Sequence, residues 1–145
     1  MGETVRIEVG GKAVEADGDA MLLPVLLGEG CEVPHLCWHP RLKPYGACRL
    51  CLVEVELEGR RRITTSCNHP ILPGMKVRLE TDEILEQRRT LLEALLAQAP
   101  DSESLKAYAA RYGVTSTPLR LQEGRCILCG LCERFCREVV GADAI

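Results

Sequence analysis

The sequence predicts a small α+β protein: a mixed sheet crossed by one short helix, then helices, then a cysteine-rich tail. Three observations predict it. Short segments before Glu80 alternate apolar with polar residues, the period of a half-buried strand. From Asp82 the apolar spacing changes to three and four residues, the period of a helix. Eight of the nine cysteines fall into two closely spaced sets.

Val5, Ile7 and Val9 alternate with Arg6 and Glu8, so Thr4–Val9 reads as the first strand. Gly10-Gly11 is a hairpin turn, and Lys12–Ala16 returns from it. Asp19 is placed to cap a short helix over Met21–Leu27, with Pro24 near its start, where a missing N–H costs least. Gly28 and Gly30 end it. Val33–Ala47 is a long loop with three prolines, and a loop of that length in a compact domain usually binds something. Leu52–Leu57 and Arg61–Ser66 form a second hairpin about Glu58-Gly59, and Lys76–Glu80 adds a short strand.

Ile84, Leu85, Leu91, Leu92, Leu95 and Leu96 mark a helix that begins at Asp82 and is closed by Pro100. Asp101 opens a shorter helix that runs through about Tyr112 and stops at Gly113. Val114–Gln122 is a linker rich in Thr, Ser and Pro. The expected parts are therefore 1–81, a helical connector 82–124, and a cysteine segment 125–145.

Composition narrows the function. The chain has 145 residues, 46% apolar and 27% charged, with a net charge of −3. No basic stripe suggests nucleic acid, and five aromatic residues offer no base-stacking platform. The longest apolar run, Ala20–Leu27, is too short to span a bilayer. The first residues lack the pattern of a secretory signal. Nine cysteines without an export signal point to a reducing, cytoplasmic setting, where thiols serve metals or redox chemistry.

Cys37, Cys48, Cys51 and Cys67 stand as C-x10-C-x2-C-x15-C. Three sulfurs on one loop and a fourth after a hairpin suit a ferredoxin-type [2Fe–2S] cluster, which takes two thiolates per iron. Gly46-Ala47 ahead of Cys48 lets backbone N–H groups point inward, which stabilises added negative charge. Zinc is the competing metal, but zinc ribbons pair one Cys-x2-Cys with another, and Cys67 has no such companion. A Rieske centre would require histidine where Cys51 stands.

Cys126-x2-Cys129-x2-Cys132-x3-Cys136 has the spacing of a [4Fe–4S] site. In two-cluster ferredoxins the fourth cysteine of such a run serves the other cluster, and no cysteine follows Cys136 here. Three readings stay open: the set is one ligand short, Cys136 closes it in an unusual geometry, or the native chain continues past Ile145. A zinc knuckle is the alternative to iron–sulfur.

Val33-Pro34-His35-Leu36-Cys37-Trp38-His39-Pro40, Gly46-Ala47-Cys48-Arg49-Leu50-Cys51 and Thr65-Ser66-Cys67 carry a resemblance. Together they resemble the N-terminal domain of the iron–sulfur protein of bacterial complex I. Diaphorase subunits of NAD-reducing hydrogenases and the N-terminal domain of [FeFe]-hydrogenases are similar. The tract Asp82–Ala97, with Arg88-Arg89, resembles the helix that follows in those proteins, and Arg125–Glu138 resembles their cubane-binding segments. The resemblance implies a β-grasp ferredoxin-like domain, a [2Fe–2S] and a [4Fe–4S] cluster, and single-electron transport in an NADH dehydrogenase-like oxidoreductase. It also implies a flavin-bearing, NAD(P)H-binding partner and a downstream redox subunit. No Gly-x-Gly-x-x-Gly is present, so nicotinamide and flavin should bind elsewhere, and no catalytic residue is expected. One departure matters. Complex I-type proteins carry His-x3-Cys-x2-Cys-x5-Cys between the two regions, whereas residues 98–124 contain neither cysteine nor histidine, which favours a smaller, soluble assembly. The rival functions are a zinc-stabilised interaction module and an N-terminal piece of an iron hydrogenase.

Of the remaining residues, Cys31 reads as a small buried hydrophobe. His35, His39 and His69 read as loop hydrogen-bonders, Trp38 as a water shield, and Arg60–Arg62 as a solvated turn.

Overall fold

A computed structural model describes residues 3–145. Two compact units emerge: residues 1–81 with 130–145, and residues 82–129. The first unit contains β1 (Thr4–Val9), β2 (Lys12–Asp17), α1 (Leu22–Gly28), β3 (Leu52–Leu57), β4 (Arg60–Thr65) and β5 (Lys76–Arg78). The sheet order is β2-β1-β5-β3-β4. β1 and β5 run parallel, and the other neighbours are antiparallel.

Alternation places Ile7 and Val9 of β1, Val14 and Ala16 of β2, and Val77 of β5 on the inner face. Leu22, Leu23 and Leu26 of α1 lie against them with no exposed surface. Burying side chains of this size contributes about 1.5–3 kcal/mol each. Pro24 occupies the third helical position, where its missing N–H has no intrahelical partner to lose.

Asp19 does not cap α1. Met21 holds the capping position, with an extended backbone and no side-chain bond. The Leu22 N–H instead donates to the His69 carbonyl at 2.9 Å. Asp19 lies two residues too early, and its own N–H donates to the Asp17 carboxylate at 3.0 Å. β5 is also shorter than the alternation suggests, ending at Arg78, because its pairing with β3 stops at Glu54↔Arg78.

The last residues of the first unit form α4 (Leu131–Phe135), which continues into a π-helical turn over Cys136–Val140. The second unit holds α2 (Asp82–Gln98) and α3 (Glu103–Ala110). Ile84, Arg88, Leu92 and Leu96 form the buried stripe of α2. The Leu105 N–H donates to the Ser102 hydroxyl at 3.3 Å, capping α3. Gly113, at φ 76°, turns the chain out of α3. Among the described residues, no helix is long and apolar enough to cross a membrane.

Candidate metal centre

The loop between α1 and β3 carries Cys37, Cys48 and Cys51, and a 3₁₀ turn after β4 carries Cys67. The β3–β4 hairpin brings the last two together. Its register pairs Leu52 with Thr65, so Cys51 meets Ser66 one step further on. The Ser66 N–H and hydroxyl both donate to the Cys51 carbonyl, at 2.9 and 2.8 Å. All four cysteines are buried, the most open being Cys48 at 7% exposure.

The sulfurs associate as two pairs. The Cys48 thiol hydrogen-bonds the Cys37 sulfur, and the Cys67 thiol hydrogen-bonds the Cys51 sulfur. Backbone N–H groups converge on the same atoms. Leu36 N–H donates to the Cys48 sulfur and Cys48 N–H to the Cys37 sulfur, each at 3.4 Å. Ala47 also donates to Cys37, Leu50 to Cys48, and Cys67 to Cys51. The turn that aims these groups contains two left-handed residues, Gly46 at φ 73° and Arg49 at φ 57°. A Cβ at Gly46 would stand 3.0 Å from the Asn68 amide nitrogen. Arg49 adopts a conformation that non-glycine residues seldom take, as backbone at ligand sites often does.

Charge is favoured at one sulfur of each pair. The hydrogen bond from Cys48 holds the Cys37 thiol down at about 5, helped by backbone donors and the Arg134 charge against the opposing effect of burial. The bond from Cys67 holds Cys51 at about 6, helped by the Cys67 N–H and the Ser66 hydroxyl. Cys48 and Cys67, as donors in these pairs and themselves buried, are pushed above the usual thiol range. Four buried thiols, ringed by N–H donors, make a donor set suited to an anionic iron–sulfur group. Among the described residues, no three Cys, His, Asp or Glu side chains group as ligands of one metal ion would. The first set is arranged as sulfur pairs.

The second set differs. Cys126 and Cys132 are exposed, while Cys129 and Cys136 are half-buried. Cys126 and Cys129 belong to the second unit, Cys132 and Cys136 to the first. Leu128 and Gly130, on either side of Cys129, have positive φ, at 52° and 70°. The Cys136 sulfur accepts from the Ala144 N–H at 3.4 Å. All four are free thiols, a donor set chemically able to bind iron–sulfur.

The flanking residues act in the loop. The His35 Nδ1–H donates to the Val33 carbonyl at 2.8 Å, and its ring meets Trp38 edge-on at 5.5 Å. The His69 Nδ1–H donates to the Pro70 carbonyl at 2.7 Å, leaving Nε2 to accept from Arg62 at 2.8 Å. His39 accepts from the Arg41 N–H at 3.2 Å. Cys31 is half-buried and packs on the core. Arg61 pairs with Glu56 at 2.7 Å, along the β4 edge of the hairpin.

Sequence reading missed Arg134. It is 3% exposed and lies between Cys132 and Cys136. Its guanidinium donates to the Cys37 carbonyl at 3.2 Å and to the Lys43 carbonyl. Nothing in Cys132-Glu133-Arg134-Phe135-Cys136 distinguishes a buried cation from a spacer, because its partners lie more than ninety residues earlier.

This fold and sulfur arrangement define an iron–sulfur protein of the ferredoxin-like α+β type. The chain belongs to the 2Fe-2S iron-sulfur cluster binding domain family, whose model matches residues 2–82. It is 30% identical to the G 2 chain of the NADH-quinone oxidoreductase of Rhizobium meliloti, over 97% of this chain and 20% of that protein. It is 28% identical to the alpha chain of the NADPH-Fe(3+) oxidoreductase of Geobacter sulfurreducens, over 97% of this chain and 19% of that one. A chain in the crystal structure of an NAD+-reducing [NiFe]-hydrogenase in the H2-reduced state superposes with a TM-score of 0.79 and 32% identity. That match covers 91% of this chain and 65% of the hydrogenase chain. The chain thus spans about a fifth of the length of the curated relatives it matches.

Proposed function

We propose that this chain carries single electrons within an NAD(P)H-linked oxidoreductase of several subunits. The observation that supports this most is the pairing of four buried sulfurs, Cys37 with Cys48 and Cys51 with Cys67, on a loop lined with N–H donors. In this reading each pair grips one iron of a [2Fe–2S] cluster, which when bound takes up and releases one electron. The backbone donors from Leu36, Ala47, Cys48 and Leu50 offset negative charge on the sulfurs. Burial of the four side chains keeps water from them.

Cys126, Cys129, Cys132 and Cys136 are the proposed ligands of a [4Fe–4S] cluster, supported by their spacing and by their state as free thiols. Residues 1–81 then carry the first centre, 82–124 form a helical connector, and 125–145 supply the second. The proposed partners are a nicotinamide-handling subunit and a further redox subunit, which the names of the relatives support; that the first of them bears flavin is what the family resemblance implies. The setting is the cytoplasm.

Anaerobic purification followed by iron and sulfide counting tests this reading. The expected product is brown, with acid-labile sulfide matching its iron. A colourless protein with stoichiometric zinc would replace the redox reading with a zinc-stabilised interaction module.

A further inference from the structure

The segment after Gly130 closes on the outer arm of the cysteine loop, within the first unit. Three residues make the contact. Arg134 bonds the carbonyls of Cys37 and Lys43 and lies over the Tyr45 ring, 4.5 Å from its centroid. Phe135 meets His39 edge-on at 5.7 Å and receives Arg41 at 5.3 Å. Glu138 accepts the Lys43 N–H at 2.9 Å and faces the Arg134 Nε at 3.6 Å.

A buried cation is costly unless it is paired, and here two backbone carbonyls accept from Arg134 while the Glu138 carboxylate faces it. Packing of this kind could serve stability with uncharged side chains. The charge has a separate consequence, because it sits where the backbone of Cys37 begins the metal loop. A guanidinium stays protonated throughout the accessible pH range, so the field it exerts there is permanent.

We propose that Arg134 is a positioning residue for electron transfer. It fixes the Cys37–Tyr45 arm and, as a permanent positive charge beside Cys37, raises the reduction potential of the centre held by Cys37, Cys48, Cys51 and Cys67. α4 also carries Cys132 and leads into Cys136, so Arg134 stands on the same element as these two cysteines. The inference rests on the reading of this chain as an iron–sulfur carrier.

The test is a redox titration of the full chain, followed by electron paramagnetic resonance, with iron and sulfide counted for every variant. In Arg134→Met the oxidised-to-reduced ratio at a fixed potential should rise about tenfold, a fall of about 59 mV for a one-electron couple. Arg134→Lys should recover most of that fall. Glu138→Gln keeps an acceptor for the Lys43 N–H but removes the opposing charge, so the potential should rise. Loss of packing cannot produce shifts of opposite sign, and the Glu138 variant remains decisive if Arg134→Met fails to fold. Equal falls in Arg134→Met and Arg134→Lys, no shift in either, or a fall in Glu138→Gln would each overturn the proposal. If the unmodified chain binds no iron and sulfide, the carrier reading itself fails. If it binds them and the potentials ignore these charges, only the role of Arg134 is lost.

Discussion

Ser66→Ala probes the link between the β3–β4 hairpin and the metal loop. Ser66 is fully buried, and its hydroxyl donates to the Cys51 carbonyl at 2.8 Å. The same hydroxyl lies against the Cys51 sulfur and favours its ionised form. A hydroxyl has one hydrogen to donate, so the substitution removes one bond at a time. The Cys51 carbonyl keeps the Ser66 N–H at 2.9 Å and is not orphaned. The cost to the metal-free chain is therefore that of a single neutral hydrogen bond, about 1 kcal/mol. For a cooperative unit of about a hundred residues this lowers Tm by roughly 4–8 °C. Urea denaturation of the metal-free protein under reducing conditions gives the free energy, and calorimetry gives the Tm. With metal bound, loss of a donor near the Cys51 sulfur should make the first centre harder to reduce. A loss above about 3 kcal/mol would mean that the hydroxyl supports more than one buried group. No loss at all would mean that it does not bond Cys51.

Other perturbations separate the ligands from their surroundings. Cys48→Ser should remove the two-iron resonance signal and leave any cubane signal; survival of both unchanged would refute the ligand assignment. Cys31→Ala should leave iron and sulfide content intact, since Cys31 packs on the core outside the paired sulfurs, and loss of the cubane alone would show it to be a ligand. Gly46→Ala forces a side chain into left-handed backbone, 3.0 Å from Asn68. It should cost about 1–2 kcal/mol in denaturation and reduce iron content, and full loading with unchanged stability would contradict the loop geometry. Leu26→Ala empties part of the α1 contact with the sheet and should cost about 2–5 kcal/mol in urea denaturation, a loss under about 1 kcal/mol being inconsistent with its full burial.

Local pattern made the first two hairpins legible. β1 and β3 have the expected bounds, because their alternation and the turns at Gly10-Gly11 and Glu58-Gly59 are encoded within a few residues. α2 was readable from its apolar stripe, whereas the start of α3 was placed at Asp101, one residue before Ser102, whose side chain caps it. The insertion of β5 between β1 and β3 was not readable. It depends on pairing Val9 and Val55 with Val77, and no local pattern marks such partners. Asp19 looked like a cap because residue type alone cannot tell a helix start from a turn two residues earlier. The four cysteines of the first set were visible by spacing, but the meeting of Cys51 with the Cys67 turn comes from the hairpin register at Leu52↔Thr65. Arg134 was invisible for the same reason: its significance lies in carbonyls contributed by Cys37 and Lys43, distant in sequence and adjacent only after folding.

Native mass spectrometry of the anaerobically purified full chain tests the paired-sulfur site most directly. The mass of two irons and two sulfides should persist when Cys126 and Cys129 are both changed to serine and vanish in Cys48→Ser. A single zinc on the unmodified chain, or a two-iron mass indifferent to Cys48, would contradict it.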